Sequence, residues 1–262
     1  GKLSRLNGRI FPSKKILGEE MRYSFPSSLL LLFALFFTAG GLTAQQPRAQ
    51  PSPPATLFTQ NRVVLKINDL PVYAEELQKL CHYYQGYRKA STDLLLRDAL
   101  TAIIPSYVLK SLLATELPEM KKKCVTALQA VQNGLPFTEM VQQYSDDTEA
   151  PTPDGRYTFG RGVAVQPFDL ISHSGKTTEL QGPFLTVYGY HFLQIMEYHQ
   201  EESAADDTTD VRHMLAMYPT LIALEKEGED VRAWIKSKVK EAVVEVIDPA
   251  LHNILPPEFR KD

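Results

Sequence analysis

The sequence has little of what the simplest function classes require. Its 262 residues contain two cysteines, Cys81 and Cys124, and six histidines that are scattered along the chain. No C-x-x-C pair and no Cys/His cluster with metal-ligand spacing occurs, so we expect no metal and no cofactor. The net charge is -3 at pH 7, which argues against a nucleic-acid partner. Phosphate-binding loops and the motifs of serine hydrolases and zinc proteases are absent as well.

Long apolar runs are also absent, with one exception near the N-terminus. Arg22 precedes an apolar run from Leu29 to Phe37, and small residues follow up to Ala44. This order is typical of a secretory signal, and the run is shorter than the ~20 apolar residues of a membrane span. We therefore expect residues 1–44 to hold an overlong start, ahead of Met21, and a signal peptide cleaved after Ala44. A retained membrane anchor is the alternative, and the periplasm is the expected location.

Residues 45–60 are rich in Pro, Gln, Ala and Ser, which predicts a flexible linker. An oxidising compartment would permit a disulfide between Cys81 and Cys124. The sequence does not decide whether their backbones lie within bonding distance, so two free buried thiols are an equal alternative.

Hydrophobic spacing divides the remaining chain into a helical, a β-rich and a second helical region. The Pro105 ring is expected to kink or divide the second helix, and Gly134 to end the third. The predicted elements begin with a strand Arg62–Ile67 and a turn at Asn68-Asp69. Four helices follow: one that starts at Val72, then Thr92–Leu117, Glu119–Gln132 and Phe137–Tyr144. The remaining elements are strands Tyr157–Phe159, Gly182–Thr186 and Tyr190–Met196, a helical region Val211–Lys240 and an extended segment Ala242–Ile247.

The stretch between Asn133 and His191 carries short motifs at fixed spacing. In chain order they are Gly134-Leu135-Pro136-Phe137, Tyr144-Ser145-Asp146-Asp147, Phe159-Gly160-Arg161-Gly162, Pro167-Phe168-Asp169 and Gly182-Pro183-Phe184-Leu185-Thr186-Val187-Tyr188-Gly189-Tyr190-His191. The series resembles the parvulin-type (PpiC) peptidyl-prolyl cis/trans isomerase domain, or rotamase. That family shows G-x-x-F, Y-S-x-D, F-x-R-G, P-F-D/E and a final G-P-x-x-T-x-x-G-x-H.

The resemblance implies an α+β fold in which helices surround an antiparallel sheet, and it implies roles for individual residues. Phe168 would form the floor of a proline pocket. His191 and Thr186 would share a hydrogen-bond network at the base of the site, and Asp147 would lie near the twisting carbonyl. Each has a structural alternative, since Phe168 and His191 also suit an ordinary core.

The sequence departs from the family pattern at the pocket. The expected methionine falls on Ala164, and the expected leucine falls on Arg156 or, with a slip of one residue, on Tyr157. Ala164 and Tyr157 are therefore the other candidate substrate-binding residues. These changes leave it open whether isomerase activity is retained.

The family also begins with a strand that reads like R-H-I-L, and nothing similar precedes Lys121. A comparable stretch occurs later, from Val211 to Met217. It is either a displaced first strand that returns His213 to the site, or a helix whose Val211 and Leu215 face the core. The helix is the favoured interpretation.

The flanking segments resemble SurA-like periplasmic chaperones. The expected domains are a helical N-terminal module over 61–125, a parvulin-like domain over 121–200, and a C-terminal helix and strand over 205–255 that pack on the N-terminal module. The expected function is a prolyl isomerase and chaperone that handles unfolded or proline-containing exported polypeptides, without a stable membrane span. The alternatives are a catalytically inactive chaperone and a structural subunit with a partner in a secretion machine.

Overall fold

The computed structural model describes residues 60–259. The expected signal peptide and all but the last residue of the linker lie outside the described residues. Within 60–259, helices surround two antiparallel sheets of three and four strands. The predicted α+β class is confirmed.

The three-stranded sheet joins the two ends of the described chain. Strand β1 (Val63–Ile67) pairs with β2 (Leu70–Tyr73) on one side and with a late strand, Val244–Val246, on the other. Asn68 and Asp69 form the predicted turn with φ of 45° and 67°, which these two residue types tolerate. The Asn68 side chain also accepts a hydrogen bond from Val243 N at 2.9 Å, so the turn is tied to the late strand.

Two helices pack beside this sheet. Helix α1 (Ala74–Gln85) buries residues at intervals of three and four and contacts α2 (Thr92–Leu112), which begins where Ser91 Oγ accepts from Leu94 N. The predicted division at Pro105 is wrong, because α2 continues through it. No single helix within 60–259 combines the length and apolarity of a membrane span; α2 and the next helix pass only as a pair, bent by 111°.

The second sheet has the strand order β3-β6-β5-β4. Strands β3 (Arg156–Gly160), β4 (Leu180–Leu185) and β5 (Gly189–His199) match the predicted strands, and β6 spans Thr208–Met217. Helices α3 (Leu117–Gln132) and α4 (Phe137–Tyr144) pack against this sheet, and α5 (Phe168–Ser172) contacts β5. Gly134 ends α3 as predicted, with φ of 98° and a bond from Leu135 N to Ala130 O.

Strand β6 corrects the prediction of a helix over Val211–Met217. The segment pairs with β3 on one side and with β5 on the other, and its residues from His213 to Met217 are all buried. A strand covered on both faces has a continuous apolar run, which imitates the spacing of a buried helix. The displaced first strand, considered as the alternative, is what the structure contains.

Helices resume only after β6. They are α6 (Pro219–Lys226), with Pro219 in its first turn, and α7 (Val231–Lys240), which begins at the capping residue Asp230 and contacts α2. The late strand of the small sheet, β7 (Val244–Val246), follows. Residues 205–255 thus complete the large sheet before they reach the small one. Cys81 and Cys124 are both buried free thiols.

Candidate active site

Hydrogen bonds connect the loop after α4 to the end of β6. Ser145 Oγ accepts from Leu215 N at 3.2 Å, and Asp146 N donates to Leu215 O at 2.8 Å. Asp146 Oδ2 accepts from Met217 N at 3.1 Å. These bonds satisfy backbone groups of β6 and hold the next residue, Asp147, beside the strand.

Four buried side chains meet at this point in a connected series. Asp147 Oδ2 lies 2.9 Å from His213 Nε2, and His213 Nδ1 lies 3.4 Å from His191 Nδ1. His191 Nε2 lies 2.8 Å from Thr186 Oγ1. The strand register explains the contact between the histidines, because His213 is paired with Leu193 on β5, two residues from His191, and residues two apart face the same side of a sheet.

One assignment of protons satisfies every member of this series. Thr186 Oγ1 accepts from Tyr188 N at 3.1 Å, and its hydroxyl donates to His191 Nε2. His191 Nδ1–H then donates to His213 Nδ1, and His213 Nε2–H donates to the Asp147 carboxylate. The tautomers are assigned from these geometries, and all the donors in the series point toward the carboxylate.

The surroundings favour a charged aspartate beside a neutral histidine. Burial acts to raise the pKa of Asp147, but the hydrogen bond that His213 donates, together with smaller contributions, lowers it overall. Burial lowers the pKa of His191 well below its ordinary value. At neutral pH the site therefore presents one carboxylate and an uncharged His191 ring.

An aromatic wall lines the same group. Phe168, the first residue of α5, makes edge contacts with the rings of His213 and His191, at centroid distances of 5.1 and 5.4 Å. Phe184 stacks on His191 at 5.7 Å. The two histidines are thus enclosed by apolar surface, which strengthens the hydrogen bonds they make.

The N-terminal helix α1 helps to hold the segment that carries Phe168. The next residue, Asp169, is fully buried and accepts from Gly162 N at 3.0 Å and from Tyr83 of α1 at 2.6 Å. Arg161 lies over the rings of Tyr83 and Tyr87 and donates to Asp207 at 3.0 Å. Sequence patterns did not single out Tyr83 or Asp169 for this role.

The cavity at the centre of the site is small. It measures about 20 Å³ and is lined by Asp147, Tyr157, Val165, Phe168, Tyr188, His191 and His213. This volume holds about one water molecule and is much smaller than a pyrrolidine ring.

Most of the predicted site residues lie together here, namely Asp147, Tyr157, Phe168, Thr186 and His191. Of the two candidates for the leucine position, Tyr157 faces the site, whereas Arg156 is partly exposed and lies within ion-pair distance of Asp154 and Asp210. Ala164 is buried but lines another cavity of about 490 Å³, between α1, α2 and the loop before α5. Val165 takes its place around the small cavity.

His213 was considered in the sequence only as an alternative, and the structure shows in addition that two glycines lie against the β6 backbone. Gly189, with φ of 148°, has no room for a side chain, since a Cβ there would lie 2.1 Å from Ala216 O. A Cβ on Gly155 would lie 2.5 Å from His213 O. Both glycines allow the β6 backbone to approach closely. Within 60–259, no group of three or more His, Cys, Asp or Glu side chains is placed to hold a metal ion.

Comparison with protein families identifies the region. The family model of the PPIC-type PPIase domain matches residues 101–199. The region is a PPIC-type domain. The match ends at the last residue of β5, so β6 and His213 lie beyond it. The PPIC-type strand that the resemblance expects ahead of the first helix follows the other three strands in this chain.

Similarity to curated proteins is broader but low. The chain is 26% identical to the chaperone SurA of Shewanella denitrificans over 45% of this chain and 26% of SurA. It is 22% identical to the foldase protein PrsA of Geobacillus sp. over 72% of this chain and 58% of PrsA. The chain thus spans only about a quarter of that SurA and little more than half of that PrsA. Comparison with solved structures gives no match.

Proposed function

We propose that this protein is a peptidyl-prolyl cis/trans isomerase and folding chaperone for exported proteins, acting on unfolded or proline-containing polypeptides. The observation that carries the proposal is the buried series Asp147–His213–His191–Thr186 beside Phe168. The match to the PPIC-type family and the names of the relatives, a chaperone and a foldase, support it.

Prolyl cis/trans isomerisation breaks no covalent bond. A prolyl amide crosses a barrier of ~18–20 kcal/mol because its resonance is lost in the twisted form, and a catalyst must bind that form better than either planar one. Resonance places negative charge on the carbonyl oxygen, so a carboxylate near that oxygen disfavours the planar amide. Phe168 would contact the prolyl ring, and Asp147, oriented by His213, would face the carbonyl.

The direct test is cis-to-trans exchange in a proline-containing tetrapeptide. We expect the mature protein to accelerate the exchange, and Phe168→Ala to reduce kcat/KM at least tenfold. Because Phe168 is buried, its removal also costs about 3–5 kcal/mol of stability, so folding of the variant is checked by circular dichroism. Equal exchange rates with and without the wild-type protein would refute isomerase activity.

The small volume of the cavity favours a second candidate, a parvulin fold that no longer turns over prolyl bonds. Such a chaperone would suppress aggregation of unfolded exported proteins equally well as wild type and as His191→Ala, without accelerating exchange. A structural subunit of a secretion machine would instead co-purify with a stable partner in stoichiometric amounts.

The proposal includes export to the periplasm, with the domain division given above. N-terminal sequencing of the protein from a periplasmic fraction tests the location. A mature chain that begins at Gln45 is the expected result, and a chain retained in the membrane with its apolar run intact would contradict it.

A further inference from the structure

Tyr157 makes contacts that a leucine in its place would not make. It lies on β3 with its side chain buried, and its hydroxyl donates to Asp147 Oδ2 at 2.9 Å. Its ring packs on that of His213, with centroids 5.3 Å apart. Tyr157 therefore touches both partners of the Asp147–His213 hydrogen bond at the centre of the site.

Three segments of the chain hold the Asp147 carboxylate. Oδ2 accepts from Tyr157 of β3 and from His213 of β6, while Oδ1 accepts from Glu149 N of the same loop at 3.1 Å. Donors on both oxygens fix the plane of the carboxylate as well as its position. The backbone donor alone would leave the group free to rotate away from the sheet.

We propose that Tyr157 is a positioning residue of the isomerase site, whose hydroxyl orients the Asp147 carboxylate and whose ring fills part of the prolyl pocket. This inference rests on the proposed function. The hydroxyl acts through Asp147, whereas the ring limits the volume of the cavity that both residues line.

The charges around Asp147 set the direction of the expected effect. His213 on β6 and the Tyr157 hydroxyl favour the ionised carboxylate, and burial opposes it. His191 on β5 and Glu225 on α6 also interact with Asp147 electrostatically, and the Tyr188 side chain lines the same cavity. Loss of the Tyr157 hydroxyl removes one stabilising donor and leaves burial and Glu225 in place, so the pKa of Asp147 rises.

Two substitutions separate the hydroxyl from the ring. Tyr157→Phe keeps the ring, and we expect kcat for the tetrapeptide to fall about tenfold, as for loss of one hydrogen bond to a charged group. KM stays within about twofold, and the acidic limb of the pH profile of kcat moves to higher pH. Tyr157→Leu removes the ring as well, so kcat is again low but KM falls.

Tyr190→Phe is the matched control, because Tyr190 lies on β5 near Cys124 of α3, on the opposite face from His191.

A measurement without substrate separates this inference from the proposed function. The pKa of the Asp147 carboxyl is followed by NMR in wild type, Tyr157→Phe and Tyr190→Phe, and it is expected to rise only in Tyr157→Phe. An unchanged pKa in Tyr157→Phe overturns the positioning role even if the enzyme is active. If wild type does not catalyse exchange, the proposed function fails, while a raised pKa still assigns the hydroxyl its role in holding Asp147.

Discussion

Each of the two sheets contains a strand from late in the chain, but the position of that strand in the strand order differs between the sheets. In the three-stranded sheet, β7 is three residues long and lies at the edge beside β1. In the four-stranded sheet, β6 is ten residues long, lies between β3 and β5, and carries His213. Strand β7 adds to the β1–β2 hairpin, which is already paired. Strand β6 instead pairs with both β3 and β5, so it connects the large sheet and completes the candidate active site.

The geometry around β6 shows how the chain accommodates this order. Glu116, just before α3, accepts a hydrogen bond from Thr220 N at 3.2 Å, just after β6. The exit from β6 therefore lies beside the entry to α3, which the family's usual order would connect directly. A strand can be moved from the start to the end of a domain when the two connection points are neighbours in space.

Truncation of the chain is expected to show the largest difference between β6 and β7 in their contributions to stability. A chain that ends at His199 lacks β6, so β3 loses its only neighbour in the described sheet and His213 is gone; we expect no cooperative unfolding of the PPIC-type domain. A chain that ends at Glu241 lacks β7 but keeps all four strands of the large sheet, and retains that transition. Thermal unfolding followed by near-ultraviolet circular dichroism compares the two, and equal loss in both would contradict the comparison.

Close approach of β5 to β6 provides the next test. Gly189→Ala places a Cβ 2.1 Å from Ala216 O, and this overlap with backbone is expected to cost about 3 kcal/mol or more of unfolding free energy. Gly175→Ala is the control, since Gly175 also has positive φ but no atom within 4 Å of the added Cβ. It is expected to cost about 1 kcal/mol from backbone strain alone. Urea unfolding measures both; similar losses would argue against tight packing on β6.

Removal of His213 leaves the buried Asp147 carboxylate without one of its two side-chain donors. We expect His213→Ala to lower the unfolding free energy by about 3 kcal/mol at pH 7, as in other broken buried pairs. His252→Ala, at an exposed position after β7, is expected to change it by less than about 0.5 kcal/mol. If urea unfolding gave equal values for the two variants, His213 would have no special role in the sheet.

Two of the three buried histidines around the large sheet, His173 and His191, predict a dependence of stability on pH that is smaller than the effects above. Burial lowers the pKa of His191 and of His173 from the ordinary value of 6.5. The unfolded chain then binds more protons than the folded one, so stability is fully present above pH 6.5 and declines as the pH falls below it. Asp147, with its pKa lowered from 3.8, adds a further loss only below that value. Urea unfolding at pH 7.5 and 5.5 tests the first window, and higher stability at pH 5.5 would contradict it.

The smallest effect is expected at the edge of the three-stranded sheet. Lys66 on β1 and Glu245 on β7 form an ion pair with an N–O distance of 3.0 Å, and both side chains are exposed. Exposed pairs contribute little, so Lys66→Met is expected to change the unfolding free energy by less than about 0.5 kcal/mol. A loss above 1 kcal/mol would mean that β7 is held more firmly than its length and position indicate.

Local patterns in the sequence were sufficient for much of the fold. The Asn68-Asp69 turn, the stop of α3 at Gly134 and the strands β3, β4 and β5 follow from residue type and hydrophobic period, which act over a few neighbours. The resemblance to the parvulin family that the motifs carry also implied one site for Asp147, Phe168, Thr186 and His191. Of the two effects predicted for Pro105, division of α2 does not occur, because packing of α2 on α1 and α7 holds the helix together where its local backbone preference is poor.

By itself, then, the sequence determined the family resemblance of the central region and singled out Asp147, Phe168, Thr186 and His191 as candidate site residues. Only the tertiary structure decided that Val211–Met217 is a strand, that Tyr157 rather than Arg156 faces Asp147, and that the cavity is nearly filled. The reason is physical: an apolar segment acquires its conformation from the partners that satisfy its backbone. The partners of β6 are β3 and β5, which precede it in the chain and enclose it on both sides.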